Sequence, residues 1–174
     1  MKFYDFIFLA GIAVLLVSCF GLGRRDSVET AKNVDIARYM GRWFEIARFE
    51  NSFEKGLANV SAVYTLNGDN TVSVVNSGVK PDGEKTSVSG RAYAPDSSDF
   101  SKLRVSFFRP FYGDYYILEL DGDYRWALVG GRDKSYLWIL SRTPRISEAE
   151  LSKILEKARS RGYDVGRLMF PNGH

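Results

Sequence analysis

Eight stretches of this chain alternate apolar and polar side chains with a period of two: residues 43–49, 59–66, 71–77, 87–93, 102–108, 115–121, 124–130 and 136–142. Turn formers separate them, as in Asn67-Gly68-Asp69-Asn70, Pro81-Asp82-Gly83, Pro95-Asp96-Ser97-Ser98-Asp99, Gly122-Asp123 and Gly130-Gly131-Arg132-Asp133. Connections this short leave no room for crossover helices, so sequence neighbours are expected to pair antiparallel. An open meander of eight strands would leave two bare edges and an apolar face in water. Closing it on itself removes both problems. A sandwich is the alternative, but it wants longer Greek-key links. The expectation is therefore an all-β chain, an eight-stranded antiparallel up-and-down β-barrel. Its one long link, residues 50–58, is placed to act as a lid over one mouth.

The first strand is entered through Gly41-Arg42-Trp43, where the Gly lets the backbone turn and the Trp fills a barrel floor. Asp35 is placed to cap a short helical turn over 36–39 just before it. After the last strand the period changes. Ser147 with Glu150 forms a capping box, Leu151, Ile154, Leu155 and Ala158 form one stripe, and Gly162 supplies a stop. This C-terminal α-helix should pack against the outside of the barrel, and residues 165–170 offer a short final strand.

Composition removes most chemistry. The only His, His174, is the last residue, which excludes His-based triads and His-ligated zinc or haem. The only Cys, Cys19, can form no internal disulfide. The formal charge of +3 is spread without a basic block, so no nucleic-acid partner is expected, nor any metal or cofactor. Catalysis is not expected either. Glu45, Glu119 and several Tyr are acid–base candidates for an enzyme working in the barrel, but nothing in the sequence pairs them.

The N-terminus has its own logic. A Lys is followed by an apolar run over 6–17, short of the roughly 20 residues that span a bilayer and right for a signal-peptide core. It ends Leu16-Val17-Ser18-Cys19, which resembles the lipobox of bacterial lipoproteins. That resemblance implies a signal peptide over 1–18 and acylation of Cys19. The alternative is an ordinary secretory signal cleaved beside a Cys. Phe20, where an Asp would favour inner-membrane retention, implies the outer membrane. Residues 21–32 are polar and aperiodic and read as a tether from the acylated Cys19, leaving 33–174 for the barrel and its helix.

Alternation also sorts the walls. Leu103, Val105 and Phe107 share one face of their strand. So do Val60, Ala62, Tyr64 and Leu66, and likewise Tyr136, Trp138 and Leu140. Val88, Gly90 and Ala92 are small and leave space rather than fill it. Such a barrel is either packed solid or encloses one small ligand.

By this point the residues resemble the lipocalin family, and within it the bacterial outer-membrane lipoprotein lipocalins similar to apolipoprotein D. Gly41-Arg42-Trp43 looks like the family's G-x-W. Asp123-Tyr124 resembles its second motif, and Arg142 its third, packing across Trp43 at the closed end. The resemblance covers nearly all the chain after the tether. It implies a barrel that binds, stores or transports a fatty acid or lysophospholipid, in an envelope protein facing the periplasm. Carried over residue by residue, Tyr64 and Asn76 would be polar contacts and Phe107 and Trp138 apolar wall, with Ala47, Val88, Tyr115 and Tyr136 as further wall positions. Arg48, Lys55, Arg109 and Tyr112 are candidates to meet a headgroup. Phe108, Phe111, Tyr112 and Tyr116 point outward, to form a homodimer patch or lie under the helix. A non-binding envelope scaffold is the remaining alternative.

Overall fold

The computed structural model describes residues 28–172; the signal-like run, Cys19 and His174 lie outside them. The chain is a closed antiparallel barrel built from β1 (Gly41–Phe49), β2 (Ala58–Leu66), β3 (Val72–Val79), β4 (Lys85–Tyr93), β5 (Lys102–Phe108), β6 (Phe111–Leu120), β7 (Trp126–Gly130) and β8 (Leu137–Ser141). Each strand pairs with the next. β1 closes the ring by pairing with β8 on one side and with β2 through Gly41↔Tyr64 to Phe44↔Ser61 on the other. A two-residue strand, β9 (Leu168–Met169), adds to the free end of β1.

One turn of helix, α1 (Ile36–Tyr39), precedes β1, with the Asp35 carboxylate accepting from the amides of Ala37 and Arg38. The later helix, α2 (Glu148–Ser160), starts at Ser147, whose hydroxyl accepts from the Glu150 amide. The Glu150 carboxylate turns to Arg125 at 3.7 Å. Leu151, Ile154 and Ala158 bury themselves against the outer face of β1 and β6–β8, on Ile46, Ala47, Leu118, Leu128 and Ile139. The helix is therefore a patch over the barrel wall, and Tyr116 lies buried under it.

A second cluster fills the lower barrel: Ile36, Tyr39, Trp43, Leu103, Ile117, Ala127, Val129 and Leu140. The floor is solid. Residues 28–32, expected as the end of a tether, instead lie along the wall: the Ala31 amide donates to the Ile117 carbonyl at 2.8 Å and the Thr30 hydroxyl meets Ser101 at 2.7 Å.

Most element bounds shift from the alternation pattern, and three of the shifts mark local features. β6 begins at Phe111 rather than at 115, because the β5–β6 hairpin stays paired almost to its tip, with Phe108 opposite Phe111. β7 begins at Trp126 rather than at 124. Tyr124 sits at φ 61° in the turn before it, with its amide bonded to the Asp121 carbonyl. Residues 165–170 give one 3-10 turn, Val165–Arg167, before β9.

Candidate functional site

The barrel has a sealed end and an open end. At the sealed end Gly41 takes φ 92°, a conformation that disfavours a side chain, and brings Trp43 in beneath α1. The Trp43 indole N–H donates to the Tyr39 carbonyl at 2.8 Å. The Arg142 guanidinium lies 3.8 Å from the indole centroid and donates to the carbonyls of Arg42, Arg38 and Tyr39 at 2.9, 2.8 and 3.2 Å. Tyr124 completes this end, its hydroxyl accepting from the Asp35 amide at 2.8 Å and its ring under Arg38. Asp123 is exposed in the adjoining turn and contributes an amide bond to Asp121. Trp43, Tyr124 and Arg142 thus form one closure, as their motifs implied.

Above the floor the inward side chains change character. The hydroxyls of Tyr39, Tyr115 and Tyr64 form a chain across the barrel, Tyr39 to Tyr115 at 2.7 Å and Tyr115 to Tyr64 at 3.0 Å. Burial keeps all three protonated. It raises Tyr39 and Tyr115 well above the usual phenol range, and Tyr64 to about 12. Three hydroxyls joined by two bonds leave one proton free to donate upward.

Over this layer is the cup. Asn76 faces Ala62 on one side and Val88 on the other, and its amide oxygen is buried with no hydrogen-bond partner among the described residues. Phe107 lies across β4 where Gly90 has no side chain; a Cβ there would stand 2.6 Å from the ring. Trp138 and Tyr136 stack with centroids 5.6 Å apart and planes within 4°. Val88 faces inward yet is 47% exposed, and Phe107, Trp138, Asn76 and Tyr115 are only partly buried. The upper barrel is open to water. By register Asn76 and Val88 are neighbours on the inner face, Phe107 lies beside them at Gly90, Tyr64 bonds Tyr115, and Tyr136 stacks on Trp138.

Ala47 does not join them. The β1–β8 register slips between Glu45↔Leu140 and Ala47↔Ile139, a β-bulge at Ile46. The extra residue turns Ala47 outward under α2 and brings Arg48 inward opposite Trp138. Glu45 and Arg48, three apart and on opposite faces of a regular strand, end up on the same face and in contact. Arg48 is fully buried and also donates to the carbonyls of Glu54 and Leu57 at 2.7 and 3.1 Å. It is therefore committed to the 50–57 loop and is not a free headgroup cation.

That loop is folded in by the same cluster. Glu54 is buried, its carboxylate accepting from Asn51 at 2.6 Å and from the Trp138 indole at 3.0 Å. The Arg48 guanidinium therefore meets the Glu45 carboxylate directly and Glu54 through its backbone carbonyl. Burial first, and Glu54 second, raise the Glu45 carboxyl to about 7 against the opposing pull of Arg48. Glu119, the other acid–base candidate, faces outward and pairs with Lys157 and Arg161 of the helix region. Sequence reasoning missed Glu54, Asn51 and the Tyr39 hydroxyl. Only the lid position of the loop hinted at the first two. Lys55 and Arg109 are exposed at the mouth, while Tyr112 packs edge-on against Tyr93 on the outer wall.

A sealed floor under one Trp and one Arg, eight meandering strands and an outer helix can now be set beside known proteins. Residues 34–172 match the lipocalin-like domain. The chain belongs to the lipocalin family. Among curated lipocalins and their relatives, it is 42% identical to the outer membrane lipoprotein Blc of Escherichia coli over 98% of this chain and 97% of that one. It is 31% identical to mouse apolipoprotein D, over 93% of this chain and 91% of that one. Insecticyanin from the tobacco hornworm Manduca sexta superposes with a TM-score of 0.68 at 23% identity, covering 85% of each chain, and so shares the lipocalin barrel. No helix among the described residues is long and apolar enough to cross a membrane. None of their His, Cys, Asp or Glu residues are grouped to hold a metal ion.

Proposed function

We propose that this lipocalin binds a single-chain lipid, a fatty acid or lysophospholipid, in its upper barrel while held to the bacterial outer membrane through an acylated Cys19. The leader over 1–18 is removed, and the barrel faces the periplasm. The similarity to Blc, named an outer membrane lipoprotein, supports this location because the alignment takes in almost the whole chain, N-terminal segment included.

One observation carries the binding reading: Val88, Phe107, Trp138 and Asn76 face into the barrel above a sealed floor and yet remain open to solvent. An acyl chain that removes about 300 Å² of apolar surface from water there gains several kcal/mol before ordering costs, at about 25 cal/mol per Å². The unpartnered Asn76 oxygen and the Tyr64–Tyr115 hydroxyls supply polar contacts at the base of that space. The cup's two carboxyl groups are already held by Arg48, Asn51 and Trp138, which favours binding over catalysis.

The test is direct. Lipid extracted from natively purified protein should be a single-chain species by mass spectrometry, and added lysophospholipid should quench the emission of Trp138 saturably. Trp43 and Trp126 are buried and serve as a constant background. An empty protein with no saturable quench would leave the barrel as a scaffold; turnover of the added lipid would make it an enzyme.

A further inference from the structure

The most exposed large apolar side chains among the described residues are Phe108, at 77%, and Phe111, at 72%. Both sit at the tip of the β5–β6 hairpin, on either side of Arg109 and Pro110, and neither joins an apolar cluster of the fold. Across the mouth Phe53 is 60% exposed on the 50–57 loop, two residues before Lys55. Large exposed apolar groups are thus concentrated on one rim.

The strand beside that hairpin outruns it. β4 pairs with β3 along its whole length, from Val72↔Ala92 to Val79↔Lys85. With β5 it pairs from Arg91↔Ser106 to Tyr93↔Arg104; the Phe107 ring packs on Gly90 just above, and β5 ends at Phe108. Val88 faces inward just there, which accounts for its exposure.

The course of the N-terminal chain supplies the third observation. From the floor, where the Asp35 amide meets Tyr124, it runs back past Ile117 to Glu29, whose carbonyl accepts from Arg161 at the far end of α2. That end of α2 lies toward the mouth: Tyr163 packs on Phe49, and Lys134 of the β7–β8 turn lies over Tyr163. Residue 28 thus leaves the wall above the floor. About nine residues separate it from Cys19, a reach of roughly 30 Å at ~3.4 Å each. A tilted nine-residue strand stands only about 25 Å tall.

We propose that the mouth docks on the surface of a phospholipid bilayer, with the Phe108–Phe111 tip in the headgroup layer. The proposal rests on the function proposed above for the anchor at Cys19. Arg109 between the two rings suits phosphate depth. At a two-fold contact between copies of this chain, the same arginine would be brought toward its own mate. Two Phe side chains are too little to hold a protein to a membrane alone. Behind a lipid anchor the docking is intramolecular, and a weak contact suffices.

The experiment uses the acylated full chain carrying Phe108→Cys, or separately Phe111→Cys, labelled with an environment-sensitive dye, in vesicles of phosphatidylethanolamine and phosphatidylglycerol. Acylation of Cys19 leaves the new thiol as the only one. Dye emission should rise severalfold and shift to the blue, and headgroup-depth nitroxide lipids should quench it. A label at Asp123→Cys on the floor should not respond, and adding Arg109→Glu should reduce the response at 108. Co-flotation reports the anchor independently. Labels at 108 and 111 that stay in water on protein that floats would overturn docking while leaving the anchor intact. Protein that does not float overturns both. A blue shift without vesicles that grows with protein concentration assigns the tip to a second copy and overturns the bilayer contact.

Discussion

Each end of the barrel is organised around one arginine, and the two are satisfied in opposite ways. Among the described residues Arg142 at the floor meets no carboxylate; an indole face and four backbone carbonyls hold it, and it keeps partial contact with water. Arg48 near the mouth has no contact with water and is shared between the Glu45 carboxylate and the Glu54 and Leu57 carbonyls, while the Glu54 charge acts on Glu45 in turn. A cation held by dipoles makes a joint whose strength ignores pH. A cation held among acids in low dielectric makes one that depends on how many protons its neighbours carry. The lipocalin closes its permanent end with the first and fastens its loop with the second.

The sharpest way to break this contrast is to delete each guanidinium. Arg48→Ala strands the buried Glu45 carboxyl group and two carbonyls, and should lower unfolding free energy by about 3–5 kcal/mol in a urea titration. It should also free the 50–57 loop to proteolysis, and a loop that stays protected would show that Arg48 does not fasten it. Next comes pH. Because the Glu45 carboxyl is raised from 4.5 unfolded to about 7 folded, the folded state holds the extra proton. Its contribution is complete below about 4.5 and lost as pH rises through about 7. Glu45→Gln should flatten that part of the stability–pH curve, removing at most about 3 kcal/mol of the change in stability across it. An unchanged curve would place the titration elsewhere.

Arg142→Ala should cost less, about 2 kcal/mol, from the lost indole contact and carbonyl bonds. That loss should be the same at pH 5 and pH 8, and a pH-dependent loss would erase the distinction drawn between the two ends. Smallest is the floor's cap. Asp35→Ala removes the acceptor for two α1 amides, and a thermal melt should register about 1 kcal/mol.

Most of the barrel was legible because strand period and turn chemistry are local properties. Residues 102–108 alternate cleanly and form β5 over those same residues; Ser147 and Gly162 bracket α2 as their chemistry requires. Trp43 and Arg142 were legible through family motifs, and the structure stacks them. The cup was only partly legible. Tyr64, Phe107 and Trp138 fall inward by parity, but parity fails past Ile46, where Glu-Ile-Ala carries no Gly or Pro to mark an extra residue. Ala47 was therefore placed inside but lies beneath α2, and Arg48, offered to a headgroup, is committed to the 50–57 loop. Glu54 was hidden for another reason. A loop carboxylate acquires its role only when tertiary contacts bring Trp138 and Asn51 to it, and no pattern along the chain encodes that meeting.

The bulge in β1 has a reach far beyond its own residue. Below Ile46 the strand offers an indole to the interior, and above it a guanidinium, so a single surplus residue marks the height at which plug gives way to vessel. Removing that residue would exchange the faces of the strand's upper third, send a charge out beneath the helix, and leave the rim loop with nothing to grip.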